Sequence, residues 1–243
     1  MNIKLVVSYN GAAFNGWQKQ PDVRTVEGEL EKAINKVLNK DVKLYGAGRT
    51  DRGVHAFGQC VNFYADTTID IGNLPRVINY YLPSDVSVVN SSYVDEDFHA
   101  RFSAKAKHYR YVVYKSYYRN ALYDSSAMQL SYKVDVDKMR KSLSCLIGEK
   151  DFKSFMGRNA IVKDTIRRVD KVEVTEDDKF IYFDFYGKSF LKNMIRIIVG
   201  TVIEIGRGHY DVSHMEKVLL SCNRKKAGPT APAHGLYLME IYY

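Results

Sequence analysis

The sequence predicts an α+β fold of two ferredoxin-like halves of the split βαβ kind, with antiparallel sheets joined around a central basic cleft. Three observations carry this. Alternating apolar runs and helical-period runs follow one another in the order β-α-β-β-α-β between residues 2 and 94. Strands and helices mix in a similar pattern from residue 109 to residue 242. The chain has 243 residues without a low-complexity tract, enough for one large domain or two small ones, each with a real core. These features divide the chain into an N-terminal half at 1–104 and a C-terminal half at 105–243 that completes the cleft.

Residues 2–9 (Asn2-Ile3-Lys4-Leu5-Val6-Val7-Ser8-Tyr9) read as a strand closed by the turn pair Asn10-Gly11. Thr25 is a fitting N-cap with Glu27 and Glu29 in the favoured first turn. Val26, Leu30, Ala33, Ile34, Val37 and Leu38 recur at helical spacing, so 25–39 is an amphipathic helix. Strands are expected at about 42–46 and 58–65, a helix at 74–82 with Pro75 in its first turn, and a strand at 86–94. In the second half, 109–115 alternates as a strand with Tyr109, Tyr111 and Val113 on one face. A helix at 137–147, strands at 168–174 and 180–186, an apolar helix at 190–206 and a terminal strand at 235–242 follow. Ser213-His214-Met215-Glu216 reads as a capping box opening one more helix.

Between the two middle strands of the first half lies Gly46-Ala47-Gly48-Arg49-Thr50-Asp51-Arg52-Gly53-Val54-His55-Ala56. Its glycines allow a tight turn and close approach to a ligand. Asp51, flanked by Arg49 and Arg52, is expected to stay ionised and so to serve as a nucleophile or electrostatic stabiliser. A surface turn with a local ion pair would show the same charge pattern. A phosphate loop is disfavoured, because the Walker spacing and its Gly-Lys-Ser/Thr ending are absent.

The net charge of +8 points to an acidic partner, nucleic acid first. Residues 95–108 support this: Phe98-His99-Ala100-Arg101-Phe102 interleaves aromatic and basic side chains, as suits phosphate contact and base stacking, although a solvated connector can also be charged. Trp17, the only tryptophan, reads as a core anchor before a stacking platform. Tyr109 follows a basic run that could turn its hydroxyl to a charged cleft, though half-buried sheet tyrosines are common. The first eight residues are too short an apolar run for a signal peptide, and 194–205 is too short and too charged to span a bilayer, so a cytosolic protein without membrane partners is expected. Cys60, Cys145 and Cys222 are odd in number and widely spaced, which fits buried thiols. The six histidines show no metal-ligand spacing, and no metal is expected.

Gly48-Arg49-Thr50-Asp51-Arg52-Gly53-Val54-His55-Ala56 resembles the signature of the tRNA pseudouridine synthase A (TruA) family. Gly16-Trp17-Gln18-Lys19-Gln20, residues 97–104, Tyr109-Arg110-Tyr111, Asp151-Phe152-Lys153-Ser154-Phe155, residues 190–200 and Ala227-Gly228-Pro229-Thr230-Ala231-Pro232 are similar to further family segments, in the family's order. The resemblance implies isomerisation of uridine to pseudouridine at positions 38, 39 and 40 of the tRNA anticodon arm, by a cytoplasmic homodimer using neither cofactor nor metal. It implies Asp51 as nucleophile toward a uridine flipped out of the RNA, with its point of attack, at sugar or base, or in C2′ deprotonation, left open. It further implies Tyr109 as the stacking and proton-transfer residue and Arg196 as the charge partner of Asp51. Arg49, His99, Arg101, Phe98 and Phe102 fall where RNA contacts are expected. Arg52 stands where bacterial members more often carry alanine, Asn10 replaces an aspartate, Lys192 replaces the commoner arginine, and 156–164 departs from the family pattern. A non-catalytic tRNA-binding protein or RNA chaperone is the alternative, in which Asp51 would be a structural ion pair.

Overall fold

The computed structural model describes residues 1–158 and 162–243. Asn159, Ala160 and Ile161, within the stretch that departs from the family pattern, lie outside the described residues. The chain forms two compact units, Met1–Lys105 with Tyr237–Tyr243, and Ala106–Leu236.

The first unit contains β1 (Asn2–Tyr9), α1 (Val26–Leu38), β2 (Tyr45–Gly46), β3 (His55–Tyr64), α2 (Leu74–Tyr81) and β4 (Val86–Val94), the expected β-α-β-β-α-β order. β1 lies antiparallel between β3 and β4, with Ile3 opposite both Phe63 and Tyr93. β2 pairs the far end of β3, Tyr45 opposite Asn62, so the strand order is that of a split βαβ unit. Strict alternation sends Ile3, Leu5, Val7 and Tyr9 to one face of β1, all buried, where they share the core with Val26, Leu30 and Ile34 of α1 and Leu74 and Ile78 of α2. Thr25 caps α1 by accepting from Gly28 N at 3.3 Å, and Asn39 ends it in the left-handed conformation. Trp17, 1% exposed, is a core residue.

The second unit contains β5 (Ala106–Lys115), β6 (Met128–Leu130), α3 (Val136–Leu143), β7 (Gly148–Asp151), β8 (Ile166–Glu176), β9 (Phe180–Gly187), α4 (Met194–Gly206) and α5 (His214–Leu220). Its sheet runs β6-β5-β9-β8-β7, with β9 antiparallel to both β5 and β8. α4 is buried nearly all round, from Ile195 to Ile205, which explains its apolar sequence without a membrane. Among the described residues no helix is long and apolar enough to cross a membrane. At Gly200 the chain segment 229–231 lies directly on α4: a Cβ there would meet the Pro229 carbonyl oxygen at 1.9 Å.

The strand β10 (Leu236–Tyr242) follows the helices of the second unit in sequence. From Tyr237 on, however, it belongs with the first unit, where it runs parallel to β3 with Tyr237 opposite His55 and Leu238 opposite Ala56. The sequence division at 105–243 kept this strand in the second half. Other differences are local. The expected strand at 42–46 shrinks to two residues, and the expected helix at 137–147 ends at Leu143 and passes into a 3-10 turn at Ser144–Leu146. Ser213 makes no side-chain cap bond, so the capping box read at 213–216 does not form, although α5 does. Of the three cysteines, only Cys60 is buried.

Candidate active site

In the first unit, loop 47–54 joins β2 to β3 and is fastened to the body by several backbone and side-chain bonds. Ala47 N donates to Cys60 O at 2.8 Å, Gln59 Nε2 to Gly48 O at 2.9 Å and Trp17 N to Thr50 O at 3.2 Å. Tyr9 Oη and Thr50 Oγ1 share a buried hydrogen bond of 2.8 Å. Val54 N donates to Asp51 O at 3.1 Å, closing the turn that carries Asp51. Gly16, at φ +88°, lies beneath: its Cα comes so close that a Cβ would stand 2.7 Å from Thr50 O. Asp51 is half-buried on this frame, between exposed Arg49 and Arg52.

Arg49 is held from the other side. Its Nε donates to Gln18 Oε1 at 3.0 Å, and Gln18 Nε2 donates to Glu27 Oε2 at 2.7 Å. Glu27 also accepts from Lys19 N at 2.7 Å. Burial raises the Glu27 carboxyl above the usual range against the opposing pull of the Lys19 N–H and the Arg49 charge. Residues Gln18 and Glu27 thus set the direction of Arg49, a role absent from the sequence reading. The only signal for it was the proximity of Gly-Trp-Gln to the acidic first turn of α1.

The segment after β4 is anchored by two buried amides. Asn2 Nδ2 donates to the carbonyls of Asp95 and Phe98, both at 2.9 Å, and Asn62 Oδ1 accepts from Ala100 N at 2.9 Å. Of the residues picked out there, Phe98 packs inward on the Tyr243 ring at 4.9 Å. His99 is ringed by Phe102 at 4.5 Å and Tyr45 at 5.2 Å, and its Nδ1 accepts from Arg101 N. Phe102 is 74% exposed with the Arg101 guanidinium 5.7 Å from its ring centre. An open aromatic face beside an exposed guanidinium suits a base stacked against a phosphate.

In the second unit, Tyr109 projects from β5 on the face of Tyr111 and Val113, nearly buried, edge-on to Phe190 at 5.4 Å. Arg196 sits in the first turn of α4, where its Nε donates to Ala231 O at 2.8 Å and its Nη1 to Asn193 Oδ1 at 2.9 Å. Tyr111 Oη donates to Pro232 O at 2.7 Å, and burial holds its hydroxyl well above the usual tyrosine range. His234 is a neighbour that the sequence did not single out. Burial lowers its pKa; the Asp124 charge opposes this and the Arg196 charge adds to it, favouring a neutral imidazole.

The two residues flanking Tyr109 are clamped on the opposite face. His108 Nε2 lies 2.5 Å from Asp184 Oδ1, and Arg110 donates through Nε and Nη2 to both Asp184 oxygens at 2.9 and 3.1 Å. Burial of Asp184 acts to raise its pKa, but hydrogen bonds from His108 and Arg110 and their charges outweigh it, and the carboxyl is held below its ordinary value. Among the described residues no group of three His, Cys, Asp or Glu side chains is placed to hold a metal ion.

A basic α+β chain of the split βαβ kind, with a half-buried aspartate on a loop that packs closely on Gly16, fits the class of proteins that work on nucleic acid. Its particular family follows from comparison. A family model described as tRNA pseudouridine synthase matches residues 5–103 and 143–243, and the chain belongs to that family. It is 40% identical to the tRNA pseudouridine synthase A of Acetivibrio thermocellus over 242 residues, covering 100% of this chain and 99% of the relative. The tRNA pseudouridine synthase A of Bacillus pumilus is 41% identical over 245 residues, with the same coverage. That of Finegoldia magna is 40% identical over 242 residues, again covering 100% and 99%. The chain is therefore an RNA-binding isomerase that forms pseudouridine in tRNA.

Proposed function

We propose that this enzyme acts on uridines at positions 38, 39 and 40 of the anticodon arm, with Asp51 as its nucleophile, in the cytoplasm and as a homodimer. The observation that supports the reading is the fastening of loop 47–54 at Ala47, Gly48, Thr50 and the Asp51 carbonyl, which fixes the backbone that carries the half-buried Asp51. A single carboxylate suffices, because the change is an isomerisation: the N1–C1′ bond breaks, the uracil turns, C5 bonds to C1′, the C5 proton leaves and N1 gains one. Hydrolysis would call for a second carboxylate and a water. Arg196 serves as the charge partner of Asp51, and Tyr109 stacks on the flipped base and assists proton transfer. Arg49, steered by Gln18, holds the flipped nucleotide, while Arg101, His99 and Phe102 meet the RNA. Phe98 supports that segment from below, consistent with its packing on Tyr243.

The test is tritium release from tRNA carrying uridine labelled at C5, with each of the three uridines present alone in separate substrates. The wild-type chain is expected to release label from all three. Asp51→Asn is expected to release none while binding tRNA as tightly or more tightly, since a negative charge has left an anion-binding surface. Full release by Asp51→Asn would rule out the nucleophile. Release from a uridine outside 38–40 alone would overturn the site assignment.

A further inference from the structure

Behind the loop, within the first unit, three polar side chains form a buried chain of contacts. Tyr9 is 5% exposed, Thr50 7% and Gln59 0%. Tyr9 Oη bonds Thr50 Oγ1, and the Gln59 side chain also reaches the Tyr9 hydroxyl. Gln59 itself donates to Gly48 O and accepts from Cys60 N at 3.1 Å, so its amide joins the loop to β3. Three polar groups buried this deeply in a small core are costly unless they are mutually satisfied, and here they are. An apolar core would fold more simply at this place. What the chain of contacts adds is direction: it grips the loop at Gly48 and at Thr50, one peptide from Asp51.

We propose that Tyr9, Thr50 and Gln59 are positioning residues that fix the Thr50–Asp51 peptide and hence the carboxylate's approach to the flipped nucleotide. This rests on the reading of Asp51 as nucleophile. Neither Tyr9 nor Gln59 lies in the Gly48–Ala56 segment's run of charged residues, and each acts on the reaction only through the loop. A lost anchor lets the loop shift by a fraction of an ångström, for which the expected loss is roughly tenfold in rate, short of the about hundredfold that a 1 Å misplacement costs.

The experiment compares Tyr9→Phe, Gln59→Met, Thr50→Val and Thr50→Ser with the wild type and Asp51→Asn. Single-turnover tritium release is read with enzyme in excess, together with tRNA affinity and melting temperature, each rate being taken well below that variant's melting temperature. Tyr9→Phe, Gln59→Met and Thr50→Val are expected to lose roughly tenfold in rate with unchanged tRNA affinity, and Thr50→Ser to recover most of it by restoring the hydroxyl. The Tyr9→Phe/Thr50→Val double variant is expected to be no slower than Tyr9→Phe alone, since Tyr9→Phe already removes the bond that Thr50→Val removes. A purely structural role would lower the melting temperature and leave these rates unchanged, which would overturn the inference. If Tyr9→Phe fails to fold, the Thr50→Val and Thr50→Ser pair decides by the same criterion. Wild-type rates in all four variants with an inactive Asp51→Asn would sink the positioning role alone, whereas an active Asp51→Asn would sink the nucleophile and this inference with it.

Discussion

At Gly16 the backbone has φ +88° and a Cβ would stand 2.7 Å from the Thr50 carbonyl oxygen and 3.3 Å from Arg52 N. Gly16→Ala therefore meets both a strained backbone and a neighbour that is itself main chain. A loss of about 1–3 kcal/mol is expected, seen as a lower urea midpoint, with turnover falling further than stability because the displaced residues adjoin Asp51. A melting curve and a tritium-release rate on the same preparation check this; unchanged turnover would mean that the loop does not rest on Gly16. Single residues were legible in the sequence where chemistry is local. Asp51 stood out as a candidate by glycines and arginines within a few positions, and Trp17 as a core anchor by its size. Gln18, Glu27 and His234 did not, because their parts depend on neighbours brought up by folding: Gln18 reaches Arg49 across 31 positions. Phe98 illustrates the reverse, an aromatic in a promising stretch whose ring faces Tyr243.

β5 and β9 show how an element holds a residue it does not touch. Tyr109 points one way, and its neighbours His108 and Arg110 point the other, onto Asp184, which is 3% exposed. Asp184→Asn leaves the Arg110 guanidinium and the His108 ring without the carboxylate they share. The expected cost is about 3 kcal/mol, the low end for breaking a buried ion pair because Arg110 keeps water on roughly a third of its surface. Urea unfolding at neutral pH reads it. Since the folded pKa of Asp184 is depressed, its contribution is fully present above the unfolded carboxyl value near 3.9 and disappears as pH falls through the folded value below that. The wild type should thus lose stability on acidification through that window more steeply than Asp184→Asn; parallel curves would contradict the assignment. Long periodic elements such as β1, α1 and α4 were legible because burial imposes a repeat on many residues. The short strands β6 and β7, of three and four residues, carry too little repeat to be seen, and nothing in their composition replaces it. The empty capping box before α5 shows that a motif of suitable residues still needs the right backbone: Ser213 has φ −67° and ψ −11°, helical values that turn its hydroxyl away from the cap.

On the scale of the whole molecule, a surplus of 36 basic over 28 acidic residues makes tRNA binding depend on salt. If Arg101 meets one phosphate as proposed, Arg101→Gln is expected to weaken binding about equally for all tRNAs and to reduce the salt slope by about 1; a filter-binding series over salt concentration measures it. An unchanged slope would place Arg101 off the RNA path. Class and family were open to reading in the linear order of motifs, but the membership of β10 was not, since a strand's partners are chosen in three dimensions. That membership also orders the molecule in time. The strand beside β3, and next in space to the turn that bears Asp51, emerges from the ribosome only after the entire second unit, so the first unit waits with an unpaired edge until synthesis reaches Tyr237. A nascent chain that already holds the whole Asp51 loop still lacks the parallel neighbour of β3 until β10 has been made.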